Sequence, residues 1–430
     1  MSTRFGKVVP ILGGVVALAW VSTASAQTLI DTQGEPEGYA AAAAAKEPKI
    51  DPVPPLEYFD ETVDGVKGWF NRHDVFISSG LSTAYQWSFN EPDDNRIPFR
   101  NFDNWHNRYF VGLWQLALGY NPTPDLNEFG GLIRFDAGRI ARPGAVKADW
   151  NGSGIVGDTE FEADEIEFEE AYVLYNVPIG NGLTLKGGKF VTLLGAELIE
   201  PWLNPTWSRG FNYQFAGPFT HTGGLATYKV SDMVSVTAGG VVGWDNVEDN
   251  NSSPSVIGQI AVSPNDRAAL YVNGIFGPEQ TCFPNPGATQ SGCNRNKRGV
   301  IDVVGSFKLT DDLGFIVNFD YGSEDEASAV NPGRHSTWIG AAGYVTYQIT
   351  DRFSVATRGE WFSDAQGSRT GVQQDLWNVT FDFKAMLSEY IYTRIEYRHD
   401  QSDVGVFTTS NPNILWTGDD SVALEVGYYF

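Results

Sequence analysis

Cationic side chains are scarce in this chain: 29 Lys and Arg stand against 53 Asp and Glu, a formal net charge of −24. Phosphate binding rests on Lys and Arg, so the balance argues against nucleic acid as a partner. A negative overall field also fails to gather anionic solutes. Histidine is sparse, with His73, His106, His221, His335 and His399 the whole set. Neither a Gly-x-Ser-x-Gly elbow nor a His-Glu-x-x-His pair occurs, which removes two common hydrolase frameworks. No catalytic residue, cofactor or metal ligand is assigned, and the chain is not read as an enzyme. Beyond the first 26 residues no apolar run reaches the roughly 18–20 residues of a membrane-spanning helix. A secreted product is then either soluble or crosses a membrane as a closed set of strands.

The leader carries Arg4 and Lys7, then the apolar stretch Val8 to Trp20, then Ala24-Ser25-Ala26. This is the layout of a secretory signal over 1–26, cleaved before Gln27. Only two cysteines exist, Cys282 and Cys293, in a Gly/Pro/Asn-rich stretch. In an oxidising compartment they are expected to form a disulfide closing a loop of about ten residues, stabilising by ~2–3 kcal/mol. Residues 27–71 form an N-terminal periplasmic leader, with Ala40 to Ala45 followed by Pro48, Pro52, Pro54 and Pro55. Within it Tyr58, Phe59, Val63, Val66, Trp69 and Phe70 fall near helical spacing. A short helix at the mouth of the following domain, a plug and a plain linker all remain open for 56–71.

What the chain has in quantity is aromatic residues and glycine: 13 Trp, 18 Tyr, 27 Phe and 47 Gly. From residue 72 to 430 apolar residues recur at every second position for about ten residues at a time. Leu313, Phe315, Val317, Phe319 and Tyr321 alternate with Gly314, Asn318, Asp320 and Gly322. Period two gives each strand one apolar and one polar face. The polar face carries Arg, Glu, Asp and Lys in mid-strand, which suits a wet lumen with lipid outside. The expected fold is an all-β, transmembrane, antiparallel up-and-down barrel of about 16 strands, within a range of 14–18. Long and short connections alternate along the chain, and Asp or Asn marks the short ones, as in Ser231-Asp232, Asn265-Asp266 and Asp311-Asp312. Such residues favour tight turns by bonding nearby backbone. The pattern places both termini on the periplasmic side and the first connection outside.

The last strand ends Gly427-Tyr428-Tyr429-Phe430. A terminal aromatic on an alternating strand resembles the signature read by barrel assembly machinery, an expected partner through Phe430. A second resemblance lies in Leu185-Lys186-Gly187-Gly188-Lys189-Phe190-Val191-Thr192-Leu193-Leu194-Gly195-Ala196-Glu197. It continues through Ser208-Arg209 and Gly217-Pro218-Phe219-Thr220-His221-Thr222-Gly223 to Val241-Val242-Gly243-Trp244-Asp245-Asn246. These segments resemble the OmpL-like β-barrel porins (β-barrel porin 2), closely over about 183–250 and more loosely over about 70–430. The resemblance implies an outer-membrane porin without a cofactor, and it transfers no individual functional residue.

The expected function is a water-filled channel in the bacterial outer membrane for passive diffusion of small hydrophilic solutes, mildly cation-preferring. A sugar-selective channel built on Trp202, Trp207 and Tyr213 is the alternative, with a structural or adhesive barrel behind it. A homotrimer is expected only by analogy to porins. Parity assigns Arg134, Asp136, Asp302, Lys308, Asp320, Arg358, Glu360, Asp382, Lys384, Arg394, Glu396, Arg398 and Glu425 to the lumen. Each either sets up a transverse field or pairs across strands to fill the wall. Parity is ambiguous in 166–176 and 183–191, where Lys186 and Lys189 fall on opposite faces. The connection 192–217 is the expected inward constriction, with Glu197, Glu200 and Arg209 among many aromatics. The connection 140–165 is the runner-up. The acidic block from Asp158 to Glu170 is either a cation site or a solvated rim.

Overall fold

The computed structural model describes residues 50, 52, 56–73, 75–120, 128–141, 166–280 and 294–430. The signal segment 1–26, all of 27–55 except residues 50 and 52, residues 142–165 of the runner-up connection with the acidic residues from Asp158 to Glu165, and Cys282 and Cys293 lie outside the described residues. Sixteen antiparallel strands close into one ring. They are β1 (Phe76–Ser88), β2 (Arg108–Tyr120), β3 (Phe129–Ala137), β4 (Ile166–Val177), β5 (Leu183–Val191), β6 (Thr220–Lys229), β7 (Val234–Val241) and β8 (Ser255–Asn265). The second half is β9 (Ala268–Pro278), β10 (Lys297–Lys308), β11 (Leu313–Glu324), β12 (Ser336–Gln348), β13 (Phe353–Asp364), β14 (Gln374–Met386), β15 (Ile391–Ser402) and β16 (Gly418–Tyr429). Each strand pairs with its neighbours in sequence, and β1 meets β16 from Gly80↔Tyr429 to Ser88↔Ser421. Closure leaves no unpaired edge, the condition for strands in hydrocarbon.

The two faces separate by parity. In β11 Ile316, Asn318 and Asp320 are buried, while Val317, Phe319 and Tyr321 are exposed. Val256, Phe276 and Ile301 extend the exposed apolar face across neighbouring strands. In water a continuous apolar belt invites association; against lipid tails it is the matched surface. A cation in the middle of this belt tests the assignment. Val317→Arg is expected to cost ~2–4 kcal/mol, read as a lowered urea midpoint of the bilayer-reconstituted barrel.

Two local departures from simple alternation matter. The register shifts between Arg134 and Phe135 opposite β4, so Arg134 faces Glu170 and Phe135 faces Phe168. The extra residue, Glu169, is buried, and so is Glu170. This bulge is why one parity could not be read through 166–176. The alternating pattern predicts a strand over about 234–245, but β7 stops at Val241. Gly243 (φ 126°) and Asp245 (φ 55°) take left-handed backbone there. The Asp245 carboxylate accepts instead from the amides of Phe219 and Thr220, at 2.7 and 2.8 Å.

Residues Glu57–Asn71 form a helix, α1. It lies along the rim at the short-turn end. Asp60 accepts from Ser388 Oγ (2.7 Å) and the Glu389 amide (3.3 Å), and Asp64 accepts from the Tyr390 hydroxyl (2.5 Å). The Phe59 ring meets Tyr428 edge-on at 5.6 Å.

Candidate functional site

Between β5 and β6 the chain folds into the barrel. Residues 192–219 contain a 3-10 turn, Pro201–Leu203, and a short helix, α2 (Phe211–Phe215). Trp207, Arg209 and Phe211 are among the most buried large side chains of the protein. An irregular segment in such a place must find partners for its backbone polar groups. Here the barrel wall supplies them, sorted by charge. Wall carboxylates take the amides: Asp382 from Trp207 (3.3 Å), Glu396 from Ser208 (3.1 Å), and Glu360 from Phe211 and Asn212 (2.6 and 3.2 Å). Wall cations take the carbonyls: Arg358 binds that of Ser208 (2.5 Å), Arg398 that of Arg209 (2.7 Å) and Arg394 that of Pro201 (3.3 Å). Lys384 reaches the Trp202 carbonyl at 3.4 Å, and Trp338 Nε1 donates to Ala216 O at 3.0 Å.

The segment touches most of the ring. Ala196 belongs to one buried apolar cluster with Ala261, Tyr271, Val304 and Ile316 of β8 to β11 and Ala342 and Tyr344 of β12. On the opposite side the Trp202 ring lies over Gly80, where an added Cβ would fall 2.2 Å from it. Glycine is the only residue that admits the ring at this distance.

The thirteen residues assigned inward all share the inner parity. Arg134, Asp136, Asp302, Asp320, Arg358, Glu360, Asp382, Arg394, Glu396, Arg398 and Glu425 are buried, and Lys308 and Lys384 are half-buried. They pair locally: Arg394 with Asp382 (3.4 Å) and Glu425 (3.5 Å), and Arg398 with Asp400 (2.6 Å). Asp302 accepts from Asn273 (2.5 Å) and Asn318 (2.6 Å) and sits in register with Asp320. Glu197 pairs with Arg358 at 2.8 Å and accepts from the Gly210 amide at 2.7 Å. Glu200 contacts Arg134 and accepts from Gln115 at 3.1 Å. Arg209 instead turns onto its own segment, donating to the carbonyls of Leu198 (3.1 Å), Trp207 (2.7 Å) and Ile199.

One acidic group stands out on the β2–β4 wall. Arg134 has Glu200, Glu169 (3.8 Å) and Glu170 (3.6 Å) around it, with Asp136 on the same strand face. Below it, at the short-turn end, lies a cavity of about 110 Å³ lined by Ser78, Ser79, Gln115, Trp202 and Lys67. Lys186 turns inward over the Tyr172 ring (4.3 Å), and Lys189 pairs with Glu167 (2.6 Å).

Sequence reasoning did not single out Arg100, Asp400 or Arg369. Arg100 comes from the first long connection and reaches Asp400 (2.7 Å), Asp103 (3.3 Å) and Ser421 (2.8 Å). Burial pushes its guanidinium down, but Asp400, Asp103 and Asp419 reverse this and raise it above the ordinary arginine value. Arg369, from the connection after β13, donates to Phe215 O (2.7 Å). Burial, and then the neighbouring Arg298, lower it to about 10. The one available signal for Arg100 was aromatic: buried Phe102 and half-buried Phe99 flank it, the texture that marked 192–217. His221 is held by Gly243 O (2.9 Å) and Thr192 Oγ1 (3.0 Å), a structural role. Among the described residues no group of His, Cys, Asp or Glu is placed to hold a metal.

A closed sixteen-stranded ring, apolar outside and charged inside, with one connection folded across its lumen, is the build of a porin-type outer-membrane barrel. The chain belongs to the family described as beta-barrel porin-2, OmpL-like, whose model matches residues 74–430. It is an outer-membrane channel protein. No curated protein matches the chain. Among solved structures it is similar to the outer membrane channel DcaP of Acinetobacter baumannii, with TM-score 0.54 and 12% identity over 83% of this chain and 97% of that one. It is similar to OprB of Pseudomonas putida, with TM-score 0.54 and 11% identity over 90% and 100%. A trimer form of OmpT of Vibrio cholerae matches with TM-score 0.52 and 13% identity over 83% and 99%.

Proposed function

We propose that this barrel passes small hydrophilic solutes by diffusion along the β2–β4 side of segment 192–219, with a mild preference for cations. The observation that carries the reading is the acidic group there: Glu169, Glu170 and Glu200 crowd one guanidinium, and Asp136 shares their wall. Fixed carboxylates at a narrow point raise the local concentration of cations and oppose anions. The segment sets the width of the passage, with Glu197, Glu200 and Arg209 holding its shape. The sugar-track alternative gains nothing from Trp202 and Trp207, whose rings are taken up by packing against the wall, Trp202 over Gly80 and Trp207 with Ala84 and Ala423. Tyr213 likewise packs against Phe102 (5.4 Å) and Phe219 (5.2 Å). Assembly as a homotrimer, and recognition by barrel assembly machinery through Phe430, belong to the same proposal.

Reversal potentials in a salt gradient across planar bilayers test the selectivity. The refolded protein is expected to favour the cation. Glu169→Gln with Glu200→Gln is expected to move the reversal potential toward zero with little loss of conductance. An unchanged reversal potential would remove this wall as the selective element, and a bilayer that stays non-conducting would remove the channel reading.

A further inference from the structure

The docked side of α1 and its exposed side point in different directions. At 100° per residue, Tyr58, Thr62, Val66 and Trp69 fall within about 80° of the helix circumference. Tyr58, Val66 and Trp69 are 79%, 38% and 52% exposed. The side that meets the barrel carries Asp60, Val63, Asp64 and Lys67 instead: Asp60 and Asp64 bind the β14–β15 turn, Val63 is buried, and Lys67 lies 5.1 Å from the Tyr390 ring. On the flank between the two, Phe59 meets Tyr428. Tyr428 shares its parity with Leu424 and Val426, which are exposed on the outer surface of β16. The apolar side of the helix is therefore continuous with the lipid-facing belt.

The other short turns show what lies at this level. Ile179, Val230, Met233, Leu309 and Ile349 are exposed apolar residues at or beside the connections β4–β5, β6–β7, β10–β11 and β12–β13. At the β14–β15 turn the corresponding apolar group, Tyr390, is buried beside the helix. We propose that α1 is an interfacial helix that seats Tyr58, Val66 and Trp69 in the headgroup–acyl boundary of the periplasmic leaflet, completing the apolar ring at the foot of the barrel. Tyr and Trp favour that boundary because their rings are apolar with one polar atom. A helix lying in the plane of the interface buries one side in lipid and keeps the other in water. Glu57 and Glu61 fall on the third side, away from both protein and lipid.

Nitroxide accessibility in the reconstituted mature chain tests this. On a Cys282→Ser/Cys293→Ser background, single labels are introduced through Tyr58→Cys, Val66→Cys and Trp69→Cys. Leu424→Cys serves as the lipid reference and Glu61→Cys as the water reference, in vesicles of phosphatidylethanolamine and phosphatidylglycerol. The expected result is a ratio of oxygen to nickel-chelate collision at 58, 66 and 69 close to that at 424 and well above that at 61. A ratio at the level of 61 would place this side of the helix in water and overturn the proposal. Shielding from both reagents would show protein packed there, such as a second copy of the chain, and would overturn it equally.

Discussion

Removing residues 196–210 and bridging the gap with a short Gly/Ser linker is expected to raise the single-channel conductance several-fold. The segment stands between opposite walls, with Ala196 in the apolar cluster of β8–β12 and Trp202 on Gly80 of β1. Without it, the partners of its backbone, among them Asp382, Glu396 and Arg398, turn to water and line a wider lumen. The ring itself rests on sixteen strand pairings that do not involve the segment, so the barrel is expected to survive the deletion. Planar-bilayer recording of the refolded deletion variant decides the matter. Conductance equal to that of the intact chain would mean that solutes do not pass beside the segment.

Arg358→Met is expected to be the most damaging single substitution in the lumen. The guanidinium holds Glu197 (2.8 Å), lies 3.8 Å from Glu360, and donates to Ser208 O (2.5 Å), Thr206 (2.9 Å) and Thr380 (3.0 Å). Both carboxylates are buried. Removing one member of a buried ion pair leaves the other charge uncompensated, at a cost of ~3–5 kcal/mol. Much of that loss is expected to return when Glu197→Gln is added, since the stranded charge goes with it. Equilibrium urea unfolding of the four members of this double-mutant cycle measures the coupling. A single-variant loss below about 1 kcal/mol would show the pair to be well hydrated, like an exposed bridge.

The ring was legible in the sequence because one physical rule acts on every strand. Lipid outside and polar contacts inside force period two, so Val317, Phe319 and Tyr321 announce a strand without help from the rest of the chain. The rule fails where the backbone leaves the ladder. The bulge at Glu169 puts two successive acidic residues on one face, and the left-handed residues after Val241 end β7 early. Parity could also place Asp382, Glu396 and Arg398 inside without saying what they would meet. Their partners are backbone groups of a segment some 170 to 190 residues away in sequence, and backbone groups leave no mark in a sequence pattern. The aromatic density of 192–217 drew attention to that segment as a whole. The inward turn of Arg209 onto its own carbonyls, by contrast, had no signal at all.

The junction of β1 with β16 has a consequence for the order of assembly. Every other strand pair joins neighbours in sequence, but here Ser79 meets Tyr428 across 349 positions. Contacts between such distant positions pay the largest loop-closure entropy and form last. An open sheet with two raw margins must therefore persist until the final strand has arrived. The helix α1 precedes β1 yet binds Ser388 and Tyr390 of the β14–β15 turn, on the far side of β16 in the ring, so it straddles this seam. Once the margins meet, it acts as a clasp over the one joint that no hairpin ties.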